Sequence, residues 1–213
     1  TRDRRGVMNM AQQVRDEIPT PDNSTNFNVA AGSETPVGTT LENLKAAVGG
    51  ETGASAHYSV YADAAEKAGY SQLAALWRAT SAAEQIHIAM EYNAVTAEDP
   101  DWPRPEVTAG TDAPADLNLI SSAQGEIYET SDMYPAFIKK AQEEGNNAAV
   151  MIFTRAKLAE GYHAENYMWA YNNIDTPTDE HFYLCPVCGY IHRGKDFEKC
   201  PICFTPAAKF IEY

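Results

Sequence analysis

The sequence predicts a mainly α-helical protein, a four-helix bundle with one long crossover followed by a small metal-clip domain. Two observations predict it. Glu84-Gln85-Ile86-His87 and Glu160-Gly161-Tyr162-His163 repeat one Glu-x-x-His pattern. Residues three apart share a helix face, so each copy aims a carboxylate and an imidazole at one point. With 18 Glu and 5 His in 213 residues, chance supplies roughly 0.4 such spacings. The second observation is that all four cysteines fall in two Cys-x-x-Cys pairs near the C-terminus.

Residues 1–38 read as an arm. Val7, Met10, Val14 and Ile18 keep helical spacing, and the stretch from Pro19 to Gly38 offers little to bury. Thr39-Thr40-Leu41-Glu42 is a capping box, so the bundle begins there and the first helix runs to about Ala68, with Gly69 as its stop. Glu51 falls inside its apolar and small stripe. The second helix starts at Ser71, carries Leu73, Leu76, Thr80, Glu84, His87, Glu91 and Ala94 on one face, and ends before Asp99-Pro100. The segment from Ala97 to Pro114 is too long and too rich in proline for a tight hairpin, so it crosses the bundle. Pro114 suits the first turn of the third helix, Glu126 and Glu129 share a face, and Pro135 should kink the helix just beyond them. Gly145 closes it, and Asn146 or Asn147 caps the fourth helix, which runs to about Asn172. The bundle therefore spans 39–173.

Each helix thus carries acids near its middle: Glu51, then Glu84 with His87, then Glu126 with Glu129, then Glu160 with His163. Antiparallel packing would bring them to one level. Five carboxylates around two ferrous ions leave a residual charge of about −1, so the cluster is nearly neutral only with metal bound.

Residues 181–213 hold Cys185-Pro186-Val187-Cys188-Gly189-Tyr190 and Cys200-Pro201-Ile202-Cys203. Four thiolates at this spacing suit tetrahedral iron or zinc, and so short a segment needs metal to fold. Structural zinc stays open as an alternative. The formal charge is −14, with +1 on residues 181–213 and −15 upstream, which argues against nucleic acid as a partner. No apolar run reaches the roughly 20 residues of a membrane span. Cysteines confined to a metal clip favour a reducing, cytoplasmic setting.

Together these motifs resemble the rubrerythrins, in which a ferritin-like di-iron bundle precedes a rubredoxin-like iron domain. The stretch Leu41 to Tyr58, the run Gly125-Glu126-Ile127-Tyr128-Glu129 through Met133-Tyr134-Pro135, both Glu-x-x-His motifs and the Cys-Pro-Val-Cys-Gly-Tyr knuckle carry the resemblance, from about residue 40 to 213. Phe204 departs from it, standing where a free-standing rubredoxin has Gly. The resemblance implies that Glu84 and Glu160 bridge two irons, Glu51 holds one, and Glu126 with His163 holds the other. It implies that Glu129 and His87 exchange on the first iron with redox state, and that Tyr58 and Tyr134 place hydroxyls near the acids; aromatic packing is the alternative for these tyrosines. It also implies a one-iron centre on Cys185, Cys188, Cys200 and Cys203, and a peroxidase that reduces hydrogen peroxide to water. Electrons would come from an external NAD(P)H-linked reductase. The expected assembly is a homodimer in which one subunit's rubredoxin-like site lies near the other's bundle. Other readings of the same residues are a ferroxidase or oxygen reductase, and an iron-binding protein with a zinc-ribbon tail. His57, His181 and His192 match no ligand pattern.

Overall fold

The computed structural model describes residues 35–108 and 110–213 of the chain. The expected amphipathic helix at Val7 to Ile18 lies outside the described residues. Helix α1 spans Thr40–Lys67, with Thr39 and Glu42 forming both bonds of the capping box. Gly69, at φ 85°, turns the chain into α2, Ser71–Glu98. A hydroxyl cap at Ser71 is not what starts α2: Tyr70 is the capping residue and bonds through its backbone.

After the crossover, Pro114 caps α3, Ala115–Tyr128, one residue earlier than the first-turn position the sequence suggests. The third helix is not a single rod kinked at proline. A π-helical segment, Glu129–Met133, joins α3 to α4, Tyr134–Glu143. Pro135 has no amide to give the carbonyl one turn back, and its ring crowds that carbonyl. Here the amide of Tyr134 reaches five residues back, to the Glu129 carbonyl. Such one-residue insertions favour functional sites, and this one begins on Glu129. The side chain of Asn146 caps α5, Asn147–Asn172, by accepting from the amide of Ala149 at 3.0 Å.

Residues 181–213 form an antiparallel sheet of order β2-β1-β3, with β1 Phe182–Leu184, β2 Ile191–Arg193 and β3 Ile211–Glu212. The expectation that metal alone must fold so short a segment is incomplete. Phe182, Leu184 and Ile191 are buried in one apolar cluster with Leu73, Leu76, Trp77 and Tyr167 of the bundle, so helix surface supplies part of its core. Gln72 holds the connecting segment, its Nε2 donating to the carbonyls of Thr178 at 2.9 Å and Glu180 at 2.8 Å. A second apolar cluster, with Leu44, Val48, Ile88, Tyr134, Phe137 and Phe153, fills the other part of the bundle. The acids lie between the two. No helix among the described residues is long and apolar enough to cross a membrane.

Candidate metal centres

The midpoints of the helices do meet. Glu51, Glu84, His87 and Glu160 form one group of four donors, and Glu84, Glu126, Glu160 and His163 form another, with the ligand-type atoms of each group within 4.8 Å of one another. All six side chains are completely buried. Glu84 and Glu160 belong to both groups. The Nδ1 of His87 lies 2.7 Å from Glu160 and 3.0 Å from Glu84; that of His163 lies 2.7 Å from Glu160 and 3.5 Å from Glu126. The two imidazoles stack at 6.1 Å between centroids, 23° from parallel.

These close pairs are not aligned as hydrogen bonds. Both carboxylate oxygens of Glu84 and Glu160, one each of Glu51 and Glu126, and Nδ1 of both histidines are buried without a hydrogen-bond partner. Buried polar atoms in that condition are costly. Their convergence on two shared points fits a pair of cations, and carboxylate with imidazole suits iron or manganese.

The outer nitrogens are committed elsewhere. His87 Nε2 lies 3.0 Å from the carbonyl oxygen of Cys188, and His163 Nε2 lies 2.8 Å from that of Gly189. A carbonyl only accepts, so each Nε2 carries its hydrogen and donates. In the neutral ring Nδ1 is then a lone pair aimed at the acids, the tautomer a metal requires. The contact with the cysteine knuckle occurs here within one chain, where the resemblance leads one to expect the other subunit.

Glu129 is half-buried and stands outside both donor groups, with His87 taking the place beside Glu51. The hydroxyl of Tyr58 donates to Glu126 and that of Tyr134 to Glu51, so these tyrosines do more than pack. Sequence reasoning assigned no role to Glu91, which is fully buried with its Oε1 2.9 Å from the Tyr134 hydroxyl. The signal was present: Glu91 is one helical turn from His87 and two from Glu84, on the same face. His57 bonds the Gly53 carbonyl at 2.8 Å, His181 pairs with Glu212 at 3.1 Å, and His192 bonds Tyr190 at 2.8 Å; none joins a metal group.

Without metal, protons must neutralise the cluster. Burial, together with neighbouring carboxylates, holds Glu51, Glu126 and Glu129 well above the ordinary carboxyl range. Burial opposes charge on His87 and His163, yet Glu160 and Glu84 raise both well above an ordinary imidazole. Glu160 goes the other way: burial pushes it up, and the two imidazoles outweigh burial and pull it far down. Groups with raised values hold protons in the native state that the unfolded chain has released. Their stabilisation is complete below the unfolded values, 4.5 for the acids and 6.5 for the histidines, and is lost as pH rises through the folded ones. Glu160 contributes in the opposite sense, and only at the acid end. The metal-free protein is therefore expected to lose stability as pH rises above the unfolded values, 4.5 for the acids and then 6.5 for the histidines, read as a falling urea midpoint. The metal-loaded protein should show the reverse trend, because metal displaces those protons.

In the tail, Cys185, Cys188, Cys200 and Cys203 form a third group of four donors. Cys185 and Cys203 sulfurs are 3.5 Å apart, as are those of Cys188 and Cys200. That is beyond a disulfide and near the edge of about 3.8 Å for a tetrahedron with metal–sulfur bonds of about 2.3 Å. The amides of Ile202 and Cys203 donate to Cys200 Sγ at 3.4 Å, contacts of the kind that tune an iron's potential. Gly189 and Phe204 occupy matching places in the two knuckles, at φ 78° and 63°. Phe204 therefore keeps the knuckle geometry, at the roughly 1–2 kcal/mol that a left-handed conformation costs a residue with a Cβ.

Fold and site define a two-module metalloprotein, a di-metal carboxylate bundle capped by a four-thiolate centre of the rubredoxin kind. The family model described as Rubrerythrin matches residues 42–171, and that described as Rubrerythrin, rubredoxin-like domain matches 183–211. The chain belongs to the rubrerythrin family. It is 61% identical to nigerythrin of Nitratidesulfovibrio vulgaris, over 94% of this chain and all of that one. It is 35% identical to rubrerythrin-1 of Clostridium acetobutylicum, over 80% and 92%. A solved structure of nigerythrin in its fully reduced, all-ferrous state superposes with a TM-score of 0.86 at 62% identity, covering 92% of this chain and 97% of that one.

Proposed function

We propose that this oxidoreductase is a peroxidase that reduces hydrogen peroxide to water, drawing electrons through Cys185, Cys188, Cys200 and Cys203. The observation that carries this reading is the pair of hydrogen bonds from His87 and His163 to the carbonyls of Cys188 and Gly189. A one-electron thiolate centre is thereby attached directly to both imidazoles of the two-ion site. An iron-binding or zinc-ribbon protein has no use for such a link.

One iron would be held by Glu51, Glu84, His87 and Glu160 and the other by Glu84, Glu126, Glu160 and His163, so that Glu84 and Glu160 serve both. When bound, the irons supply the two electrons that cleave the peroxide O–O bond. The chain's own residues do the rest. The imidazoles donate Nε2–H outward and keep Nδ1 toward the acids, while Tyr58 and Tyr134 fix the orientation of Glu126 and Glu51 by hydrogen bonds. Complete burial of the donors excludes bulk water, which strengthens every electrostatic interaction within. His87 stands in the first donor group and Glu129 outside it, the placement the proposed exchange would require of its reduced member. The π segment that begins at Glu129 would give it room to move. An NAD(P)H-linked reductase as donor and a homodimer as the assembly complete the reading.

The test is anaerobic: the iron-loaded, fully reduced protein is mixed with peroxide and, separately, with dioxygen. Return of the visible iron–thiolate absorption should follow peroxide far faster than dioxygen. Equal or reversed rates would replace the peroxidase by an oxygen reductase.

A further inference from the structure

Glu91 presents a hydrogen-counting problem. Its carboxyl is fully buried, no ion pair among the described residues reaches it, and its Oε2 has no hydrogen-bond partner. On its own helix it is flanked by Ile88 and Val95, both inaccessible to solvent and both part of the apolar cluster that contains Tyr134, Phe137 and Phe153. Its one polar contact among the described residues is the Tyr134 hydroxyl, 2.9 Å from Oε1. That hydroxyl also contacts Glu51. A phenol has one hydrogen and cannot donate to two carboxylates. If Tyr134 donates to Glu51, a donor of the first metal group, the Glu91 contact requires its hydrogen on Glu91. A neutral acid is also the form that a buried, largely apolar setting without an ion pair favours.

We propose that Glu91 is a proton-supplying residue for the two-ion site, acting through Tyr134 in the order Glu91 carboxyl, Tyr134 hydroxyl, Glu51. It is a positioning residue, since it acts through Tyr134 and stands outside both donor groups. The proposal rests on the peroxidase reading and deepens it. Cleaving the O–O bond of one peroxide to give two waters consumes two electrons, one from each resident ion, and two protons. Tyr134 passes its hydrogen to the Glu51 side and takes the one on Glu91. Glu91 is left as a carboxylate; its proton is restored, and the second proton supplied, from solvent as the products leave. Burial raises the Glu91 carboxyl to about 8, against the pull of His87 and Tyr134, so the acid is filled at neutral pH. The titratable groups facing it are Glu84 and His87 on α2, Glu51 on α1, Tyr134 on α4 and Glu160 on α5. The carboxyl therefore combines a stored proton with a hydrogen-bonded exit.

The experiment uses the iron-loaded, fully reduced full chain. Glu91→Gln keeps the shape and a donor toward Tyr134 but has no proton to give; Glu91→Leu removes both. The Gln variant should retain its metal content and visible spectrum, react with peroxide about 10²-fold more slowly, and lose the parent's rate decrease at alkaline pH. Independently of turnover, an infrared difference spectrum of the parent, oxidised minus reduced, should show loss of a carboxylic-acid C=O band that Glu91→Gln abolishes. A Gln variant as fast as the parent overturns the proposal, and does so as well if only the Leu variant is slow, since that marks a packing role. Should the Gln variant fail to hold metal, the parent spectrum decides: no acid band removes the proposal. A parent that does not react with peroxide would instead sink the peroxidase reading.

Discussion

Glu160→Ala is expected to strip both metal positions from the bundle while leaving the four-thiolate centre loaded. Glu160 is the nearest acid to both imidazoles, 2.7 Å from each Nδ1, and it belongs to both donor groups. Removing it leaves three donors in each group and takes away the anion that most strongly stabilises positive charge on His87 and His163. Loss of an outer hydrogen-bonding partner alone costs roughly 10–100-fold in metal affinity, so loss of a shared ligand should exceed that at both positions. Metal quantitation beside the visible absorption of the thiolate centre separates the two modules. The red colour should persist while the remaining metal falls to that of the tail alone. Undiminished metal content would mean that the buried acids are not the ligands.

The two Glu-x-x-His motifs and the two Cys-x-x-Cys pairs were legible because their chemistry depends on spacing along one element, which sequence displays directly. Glu51 was legible only by company. One acid in an apolar stripe is usually an edge residue, and it became a candidate once three other helices offered acids at the same level. Glu91 escaped for the complementary reason. On paper it is one more acid on the face of Glu84 and His87, and its distinction comes from Tyr134, forty-three residues away, closing over it. The π segment was hidden as well: Glu129–Met133 carries no Gly or Pro to interrupt a helix, and Pro135 announces a disturbance without saying whether the helix bends or takes in an extra residue. Least legible was the contact of the tail with the imidazoles, because its acceptors are backbone carbonyls of Cys188 and Gly189. A carbonyl is the same group at every residue. Only its placement distinguishes it, and placement required Phe182, Leu184 and Ile191 to join the bundle's core.

That docking makes Gly189→Ala the substitution expected to uncouple the two modules without emptying either. Gly189 sits at φ 78°, where a residue with a Cβ is strained. The space is also taken: a Cβ there would lie 2.4 Å from His87 Nε2 and 3.1 Å from its neighbouring ring carbons. Phe204 shows that the knuckle backbone tolerates a side chain at the equivalent place, but Phe204 is 66% exposed and meets no histidine. The strain of about 1–2 kcal/mol is therefore survivable, and the collision with His87 is what changes function. Glu84 and Glu160 crowd His87 on its inner side, 3.0 and 2.7 Å from Nδ1, so the knuckle is the part that must yield, carrying the Cys188 and Gly189 carbonyls off both imidazoles. Displacement on the ångström scale costs on the order of 100-fold where reacting groups must be held in place. The variant should keep full metal content and a normal thiolate spectrum, and its reduced bundle should still consume peroxide in the first rapid step. Reoxidation of the thiolate centre after that step should slow by about that factor. Reoxidation at the parent's rate would show that the contacts of His87 with the Cys188 carbonyl and of His163 with the Gly189 carbonyl do not carry the electrons.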